Sequence, residues 1–160
     1  MRIPVRAEPV EGSPEQGRRA LRQAQRERVF RHPVRVYWED TDAGGIVFYA
    51  NYLKFFERAR TEWLRSLGLQ QSELRATTGG FFVVGETSVR YLRPARLDDE
   101  LLVSARLEER GRASLIIAQQ ATMKQDGVLL CEGTIRIGWV DAASLRPARI
   151  PPIILEALEQ

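Results

Sequence analysis

Asn51-Tyr52-Leu53-Lys54-Phe55-Phe56-Glu57-Arg58-Ala59-Arg60-Thr61-Glu62-Trp63-Leu64-Arg65-Ser66-Leu67-Gly68 is the stretch on which the fold turns. Its large apolar side chains fall at Tyr52, Phe55, Phe56, Ala59, Trp63, Leu64 and Leu67, the period of an α-helix with one buried stripe. Lys54, Arg58, Glu62 and Arg65 lie largely on the other side. Gly68 stands where such a helix would stop, because glycine takes the left-handed conformation of a helix C′ residue at little cost. A stripe this heavy in aromatic rings reads as core, not as a cofactor box. Something large must wrap it.

The wrapping material lies downstream. After a short polar helix near residues 71–76, four strand-like runs cover 81–91, 101–107, 114–124 and 128–140. Leu101, Val103, Ala105 and Leu107 fall on alternate positions, as do Leu115, Ile117, Gln119, Ala121 and Met123. That is the period of two expected of a half-buried strand. Gln125-Asp126-Gly127 and Glu109-Arg110-Gly111-Arg112 read as tight turns, so the strands they join are antiparallel. Arg93-Pro94-Ala95-Arg96 interrupts the chain between two of the runs. Upstream of the helix, Val34, Val36 and Trp38 alternate with Arg35 and Tyr37 as a first strand, and 153–158 adds a terminal helix after Pro151-Pro152. The consistent solution is an α+β domain in which one curved antiparallel sheet of five strands wraps one central helix. Its free edges and outer face then call for a second subunit.

Composition narrows the chemistry. The 160 residues are 44% hydrophobic and 28% charged, ordinary for one globular domain. Uncharged apolar runs such as Ala113–Ala118 are strand-length, too short to span a bilayer. A single cysteine, Cys131, and a single histidine, His32, leave no disulfide framework and almost no material for a zinc site. They also remove Ser-His-Asp and Cys-His catalysis unless His32 itself serves, so acid–base work falls to carboxylates. Cys131 reads as a buried core thiol and His32 as an exposed linker residue. The net charge of +3 is uneven: residues 1–32 hold eight arginines against four glutamates. The body is thus nearly neutral and lacks the basic, aromatic-interleaved surface of a nucleic-acid binder. We read residues 1–32 as a disordered or partly helical basic extension, without a signal peptide's apolar region, and residues 33–160 as the domain.

Between first strand and helix lies Asp40-Thr41-Asp42-Ala43-Gly44-Gly45-Ile46-Val47-Phe48-Tyr49-Ala50-Asn51. It places acidic side chains in a glycine-containing loop, an apolar run that shields them, and a helix start with unpaired N–H groups. Such a helix start can hold a carbonyl oxygen that is becoming an oxyanion. A nearby carboxylate can attack that carbonyl or activate a water against it. Equally, Asp40 and Asp42 can simply cap turns through side-chain hydrogen bonds. The residues alone leave both open.

The run from Val36 to Tyr52 closely resembles the signature of hotdog-fold acyl-CoA thioesterases of the 4-hydroxybenzoyl-CoA thioesterase type, in particular the Tol-Pal-associated (YbgC-like) branch. The resemblance continues through Phe55-Phe56-Glu57-Arg58-Ala59-Arg60-Thr61-Glu62 and Val89-Arg90-Tyr91-Leu92-Arg93-Pro94-Ala95-Arg96-Leu97-Asp98-Asp99-Glu100, and covers roughly residues 34–150. It implies a cytoplasmic homodimer or homotetramer whose dimers share a continuous sheet. It also implies hydrolysis of an acyl-CoA to free acid and CoA, with no metal or redox cofactor. The catalytic aspartate falls on Asp42, and the backbone N–H that polarises the thioester carbonyl falls on Tyr49, where several relatives carry histidine. Arg110, Arg112 and Ser114, around a predicted turn, are candidates for contact with the CoA phosphates or pantetheine. Asp40 is expected to brace the loop. Glu57 and Glu62 match a helical glutamate used by another hotdog clade, a weaker fit beside Asp42. The alternative to an enzyme is a non-catalytic module that binds acyl-CoA or acyl carrier protein, as a sensor or as an adaptor of an envelope complex. A dehydratase would need a histidine at the helix start, and none is there.

Overall fold

The computed structural model describes residues 14–18 and 29–160. Strand β1 (Phe30–Arg35) leads through a 3-10 turn (Trp38–Asp40) and a loop into helix α1 (Asn51–Ser66). Then follow α2 (Gln71–Thr78), the strands β2 (Gly80–Tyr91), β3 (Glu100–Arg110), β4 (Ser114–Met123) and β5 (Leu129–Asp141), and α3 (Pro152–Leu158). The strands form one sheet in the order β1-β3-β4-β5-β2, every neighbouring pair antiparallel. This is the expected α+β hotdog architecture.

α1 forms where its stripe requires. Tyr52, Phe55, Phe56, Ala59 and Leu64 are buried against Leu101, Val103 and Ala105 of β3, Leu115, Ile117 and Ala121 of β4, and Ile135 of β5. The helix ends as anticipated at Gly68 (φ +79°), whose N–H donates to Arg65 O while Leu69 N–H donates to Leu64 O. Those two bonds satisfy carbonyls that a helix end otherwise leaves open, and Leu69 is buried beside them.

The first strand departs from expectation. β1 starts at Phe30, which packs on the core and pairs with Ala105, so the domain begins ahead of residue 33. His32 is therefore a half-buried strand residue opposite Val103, not a linker. At the other end the strand stops before Trp38, whose side chain is 80% exposed. The cause is Asp40: its carboxylate accepts the Tyr37 N–H and its own N–H donates to Tyr37 O, folding the chain into the 3-10 turn. Residues 14–18 of the basic extension form one helical turn, and residues 1–13 and 19–28 lie outside the described residues.

Candidate active site

The acidic loop is a small antiparallel ladder. Phe48 N–H donates to Asp40 O (2.9 Å), Thr41 bridges Val47, and Asp42 N–H donates to Ile46 O (2.9 Å). Gly45, at φ +74°, closes the turn by donating to Asp42 O (3.0 Å), a conformation that costs other residues strain. The Asp42 carboxylate is exposed. One of its oxygens, Oδ1, accepts the Gly44 N–H at 2.8 Å, and the other has no partner among the described residues. Asp42 thus does cap its turn, and it keeps a carboxylate oxygen free for chemistry.

Behind the loop the contacts are dense. Asp40 is only 4% exposed, and its carbonyl accepts the Asn51 amide (2.9 Å) as well as the Phe48 N–H. It braces the loop, as the sequence led us to expect. Val47 N–H donates to Ala95 O (2.9 Å), Ile46 bridges Arg96, and Ala95 N–H donates to the Tyr52 hydroxyl (3.2 Å). The segment that interrupts the strands is therefore the floor of the loop. Burial pushes the Tyr52 phenol above its ordinary pKa, so it stays neutral.

The helix start is a turn of four residues. Asn51 N–H donates to Phe48 O (2.8 Å), and Ala50 lies at φ −71°, ψ −20°. That geometry at the third position identifies a type I turn, with Tyr49 at the second position in the right-handed helical region. Among the described residues nothing accepts a hydrogen bond from the Tyr49 or Ala50 N–H. The Tyr49 side chain is 62% exposed and touches Phe48 with ring centroids 4.7 Å apart. One short segment thus joins a carboxylate with a free oxygen to open main-chain donors at a helix N-terminus. That pairing can activate a nucleophile and stabilise an oxyanion.

The remaining predicted residues lie elsewhere. Glu57 accepts the Thr61 hydroxyl (2.8 Å) and Glu62 pairs with Arg65, both along α1. Arg110, Arg112 and Ser114 surround the β3–β4 turn, whereas the Asp42 loop is joined to the chain just before Glu100, the other end of β3. A strand of this length spans about 33 Å, so within one chain they do not meet Asp42. Arg110 pairs with Glu159, while Arg112 has no side-chain partner among the described residues. Cys131 is buried, as expected, which pushes its thiol up to about 12. Asn51 and Tyr91 were missed. Each acts through a main-chain carbonyl of the loop, a partner that no motif of side chains reveals. Among the described residues no cluster of three His, Cys, Asp or Glu is placed to hold a metal ion, and no helix is long and apolar enough to cross a membrane. A broad groove of about 1460 Å³ lies on the sheet face away from α1, lined by Arg31, Arg90, Arg106 and Gln120; neither Asp42 nor Tyr49 borders it. In the single chain the acidic loop lies open.

Residues 36–158 match the model of the thioesterase-like superfamily. The chain belongs to this superfamily. Among its relatives is the acyl-CoA thioesterase YbgC of Haemophilus influenzae, 40% identical over 122 residues that cover 76% of this chain and 88% of that protein. The acyl-CoA thioester hydrolase YbgC of Escherichia coli O6:H1 is also 40% identical, over 82% of this chain and 97% of its own. The crystal structure of a probable thioesterase from Bartonella henselae superposes with a TM-score of 0.71 at 30% identity, covering 77% of this chain and 99% of its own. This thioesterase is therefore YbgC-like over most of its chain, and the Asp42 loop and α1 both fall within the residues that match the superfamily model.

Proposed function

We propose that this thioesterase hydrolyses an acyl-CoA to the free acid and CoA in the cytoplasm, with Asp42 as the reacting carboxylate and the Tyr49 N–H as oxyanion donor. One observation carries the assignment: the free oxygen of Asp42 and the unpaired N–H of Tyr49 lie on one braced segment at the start of α1. The thioester carbonyl oxygen accepts the Tyr49 N–H. The carbon is attacked by water, whose proton passes to Asp42, or by the Asp42 carboxylate, giving a mixed anhydride that water then opens. In either case the C–S bond breaks, and the CoA thiolate leaves and takes up a proton. The YbgC relatives, named as acyl-CoA thioesterases, support this substrate class.

The open loop and the distant arginines point to a second copy. β2 is a twelve-residue edge strand with exposed Val83, Val84, Tyr91 and Leu92 at or beside it. The other edge, β1, is six residues long and carries Pro33, Arg31 and Arg35, features that discourage pairing. Two β2 edges related by a two-fold axis run antiparallel, so the Tyr91 end of one meets the Gly80 end of the other. Gly80 pairs with Asp141, and β5 brings the 110–114 turn to that end through Trp139 N–H and Ala113 O (2.8 Å). Arg110, Arg112 and Ser114 of a second copy would then approach the Asp42 loop of the first, where CoA phosphates could meet Arg112. Release of CoA from acyl-CoAs of graded chain length, followed with a thiol-reactive dye, tests the assignment. Asp42→Asn keeps the oxygen that accepts the Gly44 N–H and should fold normally, yet lose at least about 10²-fold in kcat. Near-native turnover in that variant would move the catalytic group elsewhere.

A further inference from the structure

We propose that Tyr91, the last residue of β2, is a positioning residue that holds the second open main-chain donor of the oxyanion site, the Ala50 N–H, beside the Tyr49 N–H; the role rests on the function proposed above. Its hydroxyl donates to the Tyr49 carbonyl at 3.0 Å, across 42 residues of sequence. Tyr49 precedes the N-cap residue Ala50, so its carbonyl stands just outside the helical ladder. The Leu53 N–H donates to Ala50 O (3.2 Å), and among the described residues Tyr91 is the partner of Tyr49 O. The turn that carries the donor thus has three fixed points: Phe48 N–H on Asp40 O, Asn51 N–H on Phe48 O, and Tyr49 O under the Tyr91 hydroxyl. The Tyr49 carbonyl shares its peptide with the open Ala50 N–H. This middle peptide of the turn is the one that type I and type II geometries orient oppositely, so removing the third fixed point lets the Ala50 N–H turn away.

The Tyr91 ring is itself held. It lies edge-on to Tyr49 with centroids 6.1 Å apart, and 5.7 Å from the buried Tyr52 ring. Tyr52 in turn receives the Ala95 N–H of the loop floor. Partial burial raises the Tyr91 phenol above its ordinary pKa, which keeps it a donor at neutral pH. The hydroxyl therefore couples the end of the edge strand to the helix start.

Tyr91→Phe removes only the hydroxyl. One hydrogen bond of this kind corresponds to about three- to tenfold in rate, so kcat should fall by that factor with KM within about twofold. The melting temperature should fall by no more than a few degrees. A wild-type kcat, or a raised KM with kcat intact, overturns the proposal, the second because it would make Tyr91 a substrate contact. A packing-neutral version replaces Tyr91 with a fluorinated tyrosine whose phenol ionises near neutral pH. Turnover should then fall on an alkaline limb that the parent protein lacks, because a phenolate cannot donate; an unchanged pH profile refutes the role. Asp42→Asn runs in parallel. If it remains active, the catalytic assignment itself fails; if it is inactive while Tyr91→Phe is wild-type, the positioning role alone fails.

Discussion

A donor on the main chain cannot be deleted by trimming a side chain, but the turn at the start of α1 permits a substitution that removes the N–H and little else. Tyr49 occupies the second position of a type I turn, where proline is favoured and its fixed φ near −65° suits the backbone. Its N–H has no acceptor among the described residues, so Tyr49→Pro sacrifices no hydrogen bond. The residue before a proline must be extended, and Phe48 continues the ladder that pairs Thr41 with Val47. Tyr49→Ala is the reference, since it loses the same ring and keeps the N–H. Ring contacts with Phe48 and Tyr91 are lost equally from both variants, about 0.5–1.5 kcal/mol per pair. Against Tyr49→Ala, the proline variant should be equally stable or about 0.4–1 kcal/mol more stable, because it restricts the unfolded chain. Its kcat should nonetheless be about 10²–10³-fold lower, the 2.7–4 kcal/mol typical of one oxyanion donor. Denaturant unfolding and dye-coupled CoA release measure the two quantities. Equal kcat values in two stably folded variants would refute the Tyr49 N–H as donor. A proline variant less stable than the alanine one by more than about 2 kcal/mol would refute the turn assignment.

Two further expectations concern assembly and the core. By light scattering the protein should have the mass of two or four 18.2 kDa chains, with or without residues 1–28. Val84→Lys, near the middle of β2, should shift it toward the single chain and abolish turnover; a monomeric, fully active parent protein contradicts the β2 pairing. The Cys131 thiol, raised from 9.0 to about 12 by burial, favours the folded state while it stays protonated. Its contribution is complete below pH 9 and is lost as pH rises from 9 to 12. With about 1.4 kcal/mol for each tenfold in proton affinity, the loss is on the order of 4 kcal/mol. Cys131→Ala should flatten this part of the pH–stability curve, and a thiol reagent at pH 8 should modify Cys131 only at the rate of unfolding. Fast modification of the native protein would refute its burial.

What the sequence determined by itself was whatever rests on local pattern. The aromatic stripe from Tyr52 to Leu67 and the alternation in β3 and β4 each record one face turned to the core, so the elements and their class were legible to within a few residues. Gly68 ended its helix where a positive φ was needed. The loop that adjoins strand and helix start was legible as a candidate site, and the proposal of Asp42 and Tyr49 within it came from the resemblance of that run to a known family. Tertiary structure decided what depends on partners distant in sequence. Phe30 became strand because Ala105 lay opposite it, and Trp38 left the strand because the Asp40 carboxylate bound the Tyr37 N–H. Tyr91 joined the site through a carbonyl 42 residues away, a contact with no trace in side-chain spacing. The turn at 110–114 and the loop at Asp42 were set at opposite ends of β3 by the length of that strand. A rise of about 3.3 Å per residue separates in space two groups that a motif search would place in one site.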